Sequence, residues 1–79
     1  MINKVVSIIM FQIKRRGSIK FNDGNYGFEN NRWFVEDEYN KYLVSAKEIR
    51  RKIKQQILGG NVNDDFLSNI KILGGLTHN

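Results

Sequence analysis

The sequence contains no cysteine and no proline, and its single histidine is His78, next to the C-terminal residue. Without cysteine, neither a disulfide bond nor a thiolate metal site can form. A cysteine-free chain also suits a reducing compartment, so we expect a cytoplasmic protein. No serine or threonine stands beside an evident base, and we therefore expect no catalytic residues and no enzymatic activity.

Long apolar runs and metal-binding motifs are lacking as well. Residues 5–13 form an apolar stretch that is interrupted by Ser7 and Gln12, far short of the roughly 20 residues that a bilayer requires. Residues 22–25 and 61–65 are rich in oxygen ligands but lack the ligand spacing of a calcium loop. We expect no membrane partner, no metal and no cofactor.

The chain does contain enough apolar residues for one small core. Hydrophobic residues make up 41% of its 79 positions, which is ordinary for a globular protein. A chain of this length rarely holds two cores, so a single domain over residues 1–79 is predicted. Because so small a core gives little stability, assembly with a second copy as a homodimer is left open.

The pattern from about residue 4 to residue 44 predicts antiparallel strands. Residues 5–14 are rich in β-branched side chains and apolar on both alternating faces, as in a long buried strand. Asp23-Gly24 and Asn30-Asn31 predict tight hairpin turns, and a third turn is expected at residues 37–40. Alternation predicts that six apolar residues share the core face of the sheet: Ile19, Phe21, Tyr26, Phe28, Trp33 and Val35.

The main helix is predicted over about residues 46–58. Ser45 and Glu48 form a capping box at its start, and Gly59 ends it. Glu48 precedes Lys52 by one turn, in the favoured order, so the two side chains can form an ion pair. A short helix is predicted over about residues 64–73, followed by a frayed tail at residues 76–79.

These elements predict an α+β fold. It is a small antiparallel β-meander of four to five strands, packed by one amphipathic helix, plus a short C-terminal helix.

The charges predict a partner class. The net charge is +5, and two basic blocks flank an acidic middle, which favours contact of one face with a polyanion. We predict a small basic domain that binds DNA or RNA, with its phosphate contacts made by Lys14, Arg15, Arg16, Lys20, Lys47, Arg50, Arg51 and Lys54. The ordinary alternative for the helix is a solvated surface without a function.

The predicted meander followed by a helix is a layout shared with a known class of domains. The segments that carry this likeness are Gly17-Ser18-Ile19, Arg32-Trp33-Phe34-Val35 and Ser45-Ala46-Lys47-Glu48. Over roughly residues 17–55 this layout loosely resembles the small DNA-binding domains at the N-termini of phage-type integrases. The resemblance implies a sheet that lies in the major groove with a helix behind it. The chain departs from that pattern at four acidic positions in and beside the strands: Glu29, Glu36, Asp37 and Glu38.

A protein-binding module is the second hypothesis. Phe34 beside Leu43 would form an apolar patch on the uncovered face of the sheet, which often marks an interface. Glu36, Asp37 and Glu38 form an acidic turn that could enter a nucleic-acid-binding groove, and the basic helix could instead contact an acidic protein surface. Small inhibitors encoded by phages and mobile elements, including anti-CRISPR proteins, are similarly compact, charge-polarised and free of motifs.

Overall fold

A computed structural model describes residues 2–69 of the chain. In this part there are three helices and four strands: α1 (Ile2–Arg16), β1 (Ser18–Phe21), β2 (Gly24–Glu29), β3 (Arg32–Glu36), β4 (Lys41–Val44), α2 (Ala46–Leu58) and α3 (Asp64–Asn69). The strands form one antiparallel sheet in the order β1-β2-β3-β4. The predicted α+β fold is confirmed, with the strand number inside the expected range.

The first element is a helix, and the long strand predicted for residues 5–14 is wrong. Its buried residues are Val6, Ile9, Met10 and Ile13, which recur at three- and four-residue spacing and form one helical stripe. The β-branched composition favoured a strand, but intrinsic propensity is a weak effect. Burial of the stripe against the sheet outweighs it, since tertiary packing supplies most of the stability of a helix in a protein.

Hairpin turns are present at both predicted places, but the first lies one residue earlier than the predicted Asp23-Gly24, because Gly24 already belongs to β2. The first has Asn22 and Asp23 as its turn residues, with Phe21 opposite Gly24. In the second, Asn30 and Asn31 have positive φ angles of 51° and 66°. This conformation matches the twist of the flanking strands, and asparagine adopts it more readily than most residues.

The third turn, between β3 and β4, is held by Asp37. Its amide donates to the carbonyl oxygen of Asn40 at 2.9 Å, and its Oδ1 accepts from the amides of Tyr39 and Asn40, both at 2.8 Å. These backbone donors lower the pKa of the Asp37 carboxyl group. The turn is therefore an ordered structure that projects its acidic residues from one end of the sheet.

Both long helices pack on the same face of the sheet, α1 over β1 and β2 and α2 over β3. Five of the six predicted core residues are buried there, and Phe28 is partly buried. Helix α2 begins after Ser45 as predicted, because Ser45 Oγ accepts from the Glu48 amide at 3.0 Å. The other half of the predicted capping box does not form, since the Glu48 carboxylate bonds Arg51 instead. The predicted short helix corresponds to α3 as far as residue 69, and residues 70–73 and the tail lie outside the described part.

The two long helices run in opposite directions. The last turn of α1 lies at the end of the sheet where the turn between β2 and β3 is found. There, Lys14 Nζ is 5.7 Å from the centroid of the Trp33 ring. Helix α2 begins at that end, because the last residue of β4, Val44, pairs with Trp33. It extends toward the β1–β2 turn, where Lys52 Nζ is 3.7 Å from Asp23 Oδ2.

Tyr26 ties α2 to the sheet. Its ring is fully buried, and its Oη donates to Asp23 Oδ1 at 2.8 Å and accepts from Gln56 Nε2 at 3.4 Å. Burial, followed by the hydrogen bond to Asp23, raises the pKa of Tyr26 far above its ordinary value. The phenol is therefore neutral and serves as a structural link.

No helix within residues 2–69 has the length and apolar character needed to cross a bilayer.

Candidate nucleic-acid interface

The layer formed by α1 and α2, called the helical layer below, is strongly cationic. Its single acid is Glu48, and it contains nine cations, four on α1 and five on α2: Lys4, Lys14, Arg15, Arg16, Lys47, Arg50, Arg51, Lys52 and Lys54. The layer thus has a formal charge of +8, and the remainder of the chain, whose total is +5, has −3. The positive charge of the protein is concentrated on the side of the sheet that the helices cover.

A groove of about 210 Å³ lies where α1, α2 and the sheet meet. It is lined by Ser7, Met10, Phe11 and Lys14 of α1, Trp33 of β3 and Arg50 of α2. Ser7, Phe11 and Lys14 share one flank of α1 because they are spaced by four and three residues. Among the described residues, no acid lines this groove, so its walls are cationic or apolar.

Arg50 connects the two walls of the groove. Its Nη1 donates to Ser7 Oγ at 3.3 Å across the helix pair, and its side chain stays exposed. This contact uses part of the guanidinium group, which has five N–H donors. The remaining donors can bind an anion at the groove.

Lys14 is positioned by aromatic rings at the other end of the groove. Its Nζ lies 5.0 Å from the centroid of the Phe28 ring and 5.7 Å from that of Trp33. A cation above a ring face at this distance is attracted by the ring quadrupole. The side chain remains exposed, so the ammonium group is oriented and still reaches solvent.

Phe11 is the functional candidate that the sequence analysis missed. Its side chain is 58% exposed, and the Arg15 guanidinium lies 5.9 Å from its ring centroid. The predicted strand placed Phe11 on a buried face, together with Ile9 and Ile13. The helical stripe that begins at Val6 would have placed it on the exposed side, next to the cations.

The other predicted contacts on the helices are distributed around this groove. Lys47 and Lys54 are exposed on α2, about one turn before and after Arg50, and Arg16 is exposed at the end of α1. Arg51 is engaged with Glu48 through two hydrogen bonds. This pairing lowers the pKa of Glu48 and raises that of Arg51.

The predicted ion pair between Glu48 and Lys52 does not form. Arg51 takes the carboxylate instead, because it lies three residues away and its planar guanidinium can bond both oxygens. Lys52 lies on the flank of α2 that faces the β1–β2 turn, where it approaches Asp23. Both Arg51 and Lys52 are therefore partly neutralised by local acids.

Lys20 is separated from the other predicted phosphate contacts. Its neighbours Ile19 and Phe21 are buried under the helices, whereas Lys20 is exposed, so it lies on the open face of the sheet. That face has mixed charge, with cations and acids side by side: Lys20, Glu29, Arg32, Glu36 and Lys41. The helical layer is thus the more uniformly cationic of the two faces.

The residues predicted as a protein interface are only partly accessible. Phe34 pairs with Leu43 as expected, but Phe34 is 5% exposed and Leu43 is 59% exposed. The Phe34 ring lies on Gly27, and Lys41 Nζ sits 4.3 Å from its centroid. The predicted apolar patch is therefore reduced to Leu43.

The acidic turn lies at the other end of the sheet from the last turn of α1. Glu36, Asp37 and Glu38 line a cavity of about 730 Å³ together with Asp23 and Tyr39, which is 83% exposed. Among the residues that the structure describes, Lys20 is the one cation in this lining, so acids outnumber cations there. Within residues 2–69, no three histidine, cysteine, aspartate or glutamate side chains are placed so that together they could hold a metal ion. This end of the molecule differs in charge from the groove.

No protein-family model matches the chain, and no curated protein or solved structure is significantly similar to it. The resemblance to the integrase DNA-binding domains consequently stays a hypothesis based on the order of elements.

Proposed function

We propose that the chain is a small non-enzymatic nucleic-acid-binding domain that acts in the cytoplasm and contacts phosphates through the helical layer. The observation that supports this proposal is the charge of +8 on two adjacent helices whose shared groove is lined by cations and no described acid. Neutralising phosphates with lysine and arginine releases condensed counterions, and this release drives most sequence-independent binding.

The geometry of α2 suits a row of phosphates. Lys47, Arg50 and Lys54 recur at three- and four-residue spacing, so their side chains project from neighbouring positions on one side of the helix. Seven residues correspond to roughly 10 Å of helix axis, which equals the axial rise of about three nucleotides in one strand of duplex DNA. Lys14 and Arg15 extend the same charge onto α1.

The alternative is a protein-binding inhibitor or adaptor, of the kind encoded by phages and mobile elements. It is supported by the acidic turn, where Asp37 and Glu38 are exposed at the tip of the sheet. These side chains could enter a cationic groove of another protein. This hypothesis places the contact surface at the turn of Glu36–Glu38, whereas nucleic-acid binding places it on the helical layer. The two surfaces can be changed independently.

The test is fluorescence anisotropy with random-sequence DNA and RNA oligonucleotides across salt concentrations from about 50 mM to about 300 mM. We expect an association constant whose logarithm falls linearly with that of the salt concentration. In the double variant Arg50→Gln and Lys54→Gln, the affinity should fall. The slope of the salt dependence should also become shallower, by about 1 for each phosphate that the variant no longer binds.

The matched control is the double variant Lys20→Gln and Arg32→Gln on the open face of the sheet. Both variants have the same net charge, so only the location of the change differs. We expect the control to bind almost as the original chain does. Absence of binding at about 50 mM salt, or an equal decrease of affinity in the two variants, would contradict phosphate contact through the helical layer.

A further inference from the structure

Contact with phosphates does not require an aromatic residue, yet one is exposed beside the cations of the groove. Phe11 is 58% exposed and lines the groove with Lys14 and Arg50. Phosphates gain little from an aromatic ring, because they are strongly hydrated anions. A nucleobase has a flat π-face that stacks on such a ring.

The interior of the groove is suited to the same kind of group. Met10 is 8% exposed and Trp33 is 7% exposed, and both line the groove between the cationic residues. Its floor is therefore apolar, whereas Ser7, Lys14 and Arg50 supply polar atoms at its edges. A flat, apolar ring system with a charged backbone matches this combination better than a bare phosphate row does.

We propose that the groove accepts an unstacked nucleobase, with Phe11 as its stacking surface, so that the domain binds single-stranded nucleic acid in preference to a duplex. This inference rests on the proposed function and specifies the class of nucleic acid. In a duplex the faces of the bases are covered by their neighbours, and only an unpaired base can present one to Phe11. Stacking is tolerant of sequence, because every base has a π-face.

Arg15 completes the arrangement on α1. Its guanidinium lies over the Phe11 ring, 5.9 Å from the centroid, so a base would stack on the ring face that Arg15 does not occupy. The guanidinium can then contact the phosphate that follows the stacked base. The proposed site thus combines Phe11 for the base with Lys14, Arg15 and Arg50 for the flanking phosphates.

The experiment compares the affinity for a single-stranded oligonucleotide with that for a hairpin duplex of the same composition. The variants are Phe11→Ala, Phe11→Leu and Phe11→Tyr. Removal of the stacking interaction with one base corresponds to a decrease in affinity of about 5- to 150-fold. We expect this decrease for single strands with alanine and leucine, recovery with tyrosine, and little change for the duplex.

Leu43→Ala is the matched control. Leu43 is 59% exposed, close to the exposure of Phe11, but lies on the open face of the sheet. We expect this variant to bind single strands as the original chain does. The sole tryptophan, Trp33, gives a second readout, since it lines the groove and its fluorescence should change when a single strand binds and stay constant with the duplex.

The outcomes separate this inference from the proposed function. Equal affinity for single strands and duplex, or full single-strand affinity in Phe11→Leu, overturns base stacking while phosphate contact through Arg50 and Lys54 still stands. Absence of binding to either oligonucleotide overturns the proposed function itself. If Phe11→Ala fails to fold by circular dichroism, Phe11→Leu decides, because it keeps an apolar side chain and removes only the aromatic ring.

Discussion

At the scale of single residues, Gly27 explains how an aromatic side chain is buried on the open face of the sheet. A Cβ atom at this position would overlap with the ring of Phe34, so the ring occupies the space that any other residue would need. Phe34 pairs with Gly27 across β2 and β3. Covering a strand glycine with an aromatic ring compensates for the missing side chain and protects the backbone.

Replacement of Gly27 by alanine should therefore destabilise the protein. The new methyl group and the Phe34 ring compete for one space, and such overpacking typically costs about 1–3 kcal/mol of unfolding free energy. Urea denaturation followed by circular dichroism measures this decrease. In a Phe34→Ala background the same substitution should decrease the unfolding free energy much less, because the ring that overlaps with the new methyl group is absent. Additive effects, to within about 0.5 kcal/mol, would contradict the packing of this ring on Gly27.

At the scale of elements, the two long helices show what sequence patterns can and cannot decide. Helix α2 was predicted with its bounds because all its determinants are local: Ser45 starts it, Ile49 and Ile53 give it a buried stripe, and Gly59 ends it. Helix α1 lacks such signals. Its first turn contains no acid, and its β-branched residues suit a strand equally well, so only packing against the sheet resolves the ambiguity.

The candidate site was predictable to the same extent. The four cations of α2 that the sequence predicts as phosphate contacts, Lys47, Arg50, Arg51 and Lys54, are exposed. The groove was not predictable, because it exists only when α1 is a helix that runs antiparallel to α2. The approach of Ser7 to Arg50 joins residues 43 positions apart, and no local pattern contains that information.

The helical assignment of α1 gives a test that separates it from the strand. A strand would bury Ile9 and Phe11 on one face, whereas the helix buries Ile9 completely and exposes Phe11. Ile9→Ala should thus cost about 2–5 kcal/mol of unfolding free energy. Phe11→Ala should cost less than about 0.5 kcal/mol, as for an ordinary surface substitution. Urea denaturation of both variants decides, and similar large decreases in stability would contradict the helix.

At the scale of the whole molecule, charge and shape are arranged together. The helical layer has a formal charge of +8, and the rest of the chain has −3. The acidic turn lies at the end of the sheet away from the last turn of α1. This segregation creates a field that attracts a polyanion to the helices and orients it. It also means that like charges repel one another across the helical layer in the unbound protein.

That repulsion leads to a prediction about stability. The double variant Arg50→Gln and Lys54→Gln removes two cations from the helical layer and so reduces the repulsion there. At low salt its midpoint of thermal unfolding should therefore rise by a few degrees, although its binding to oligonucleotides weakens. At about 0.5 M salt the Debye length is shorter than the spacing of most exposed charges, and the difference should vanish. Differential scanning calorimetry at both salt concentrations measures the effect.

The control variant, Lys20→Gln with Arg32→Gln, removes the same charge from a face where acids are adjacent, so its midpoint should stay constant or fall. A rise in both variants would show that net charge, rather than its concentration on the helices, sets the stability. A lower midpoint in the helix variant would show that Arg50 contributes more by binding Ser7 than it costs by repulsion.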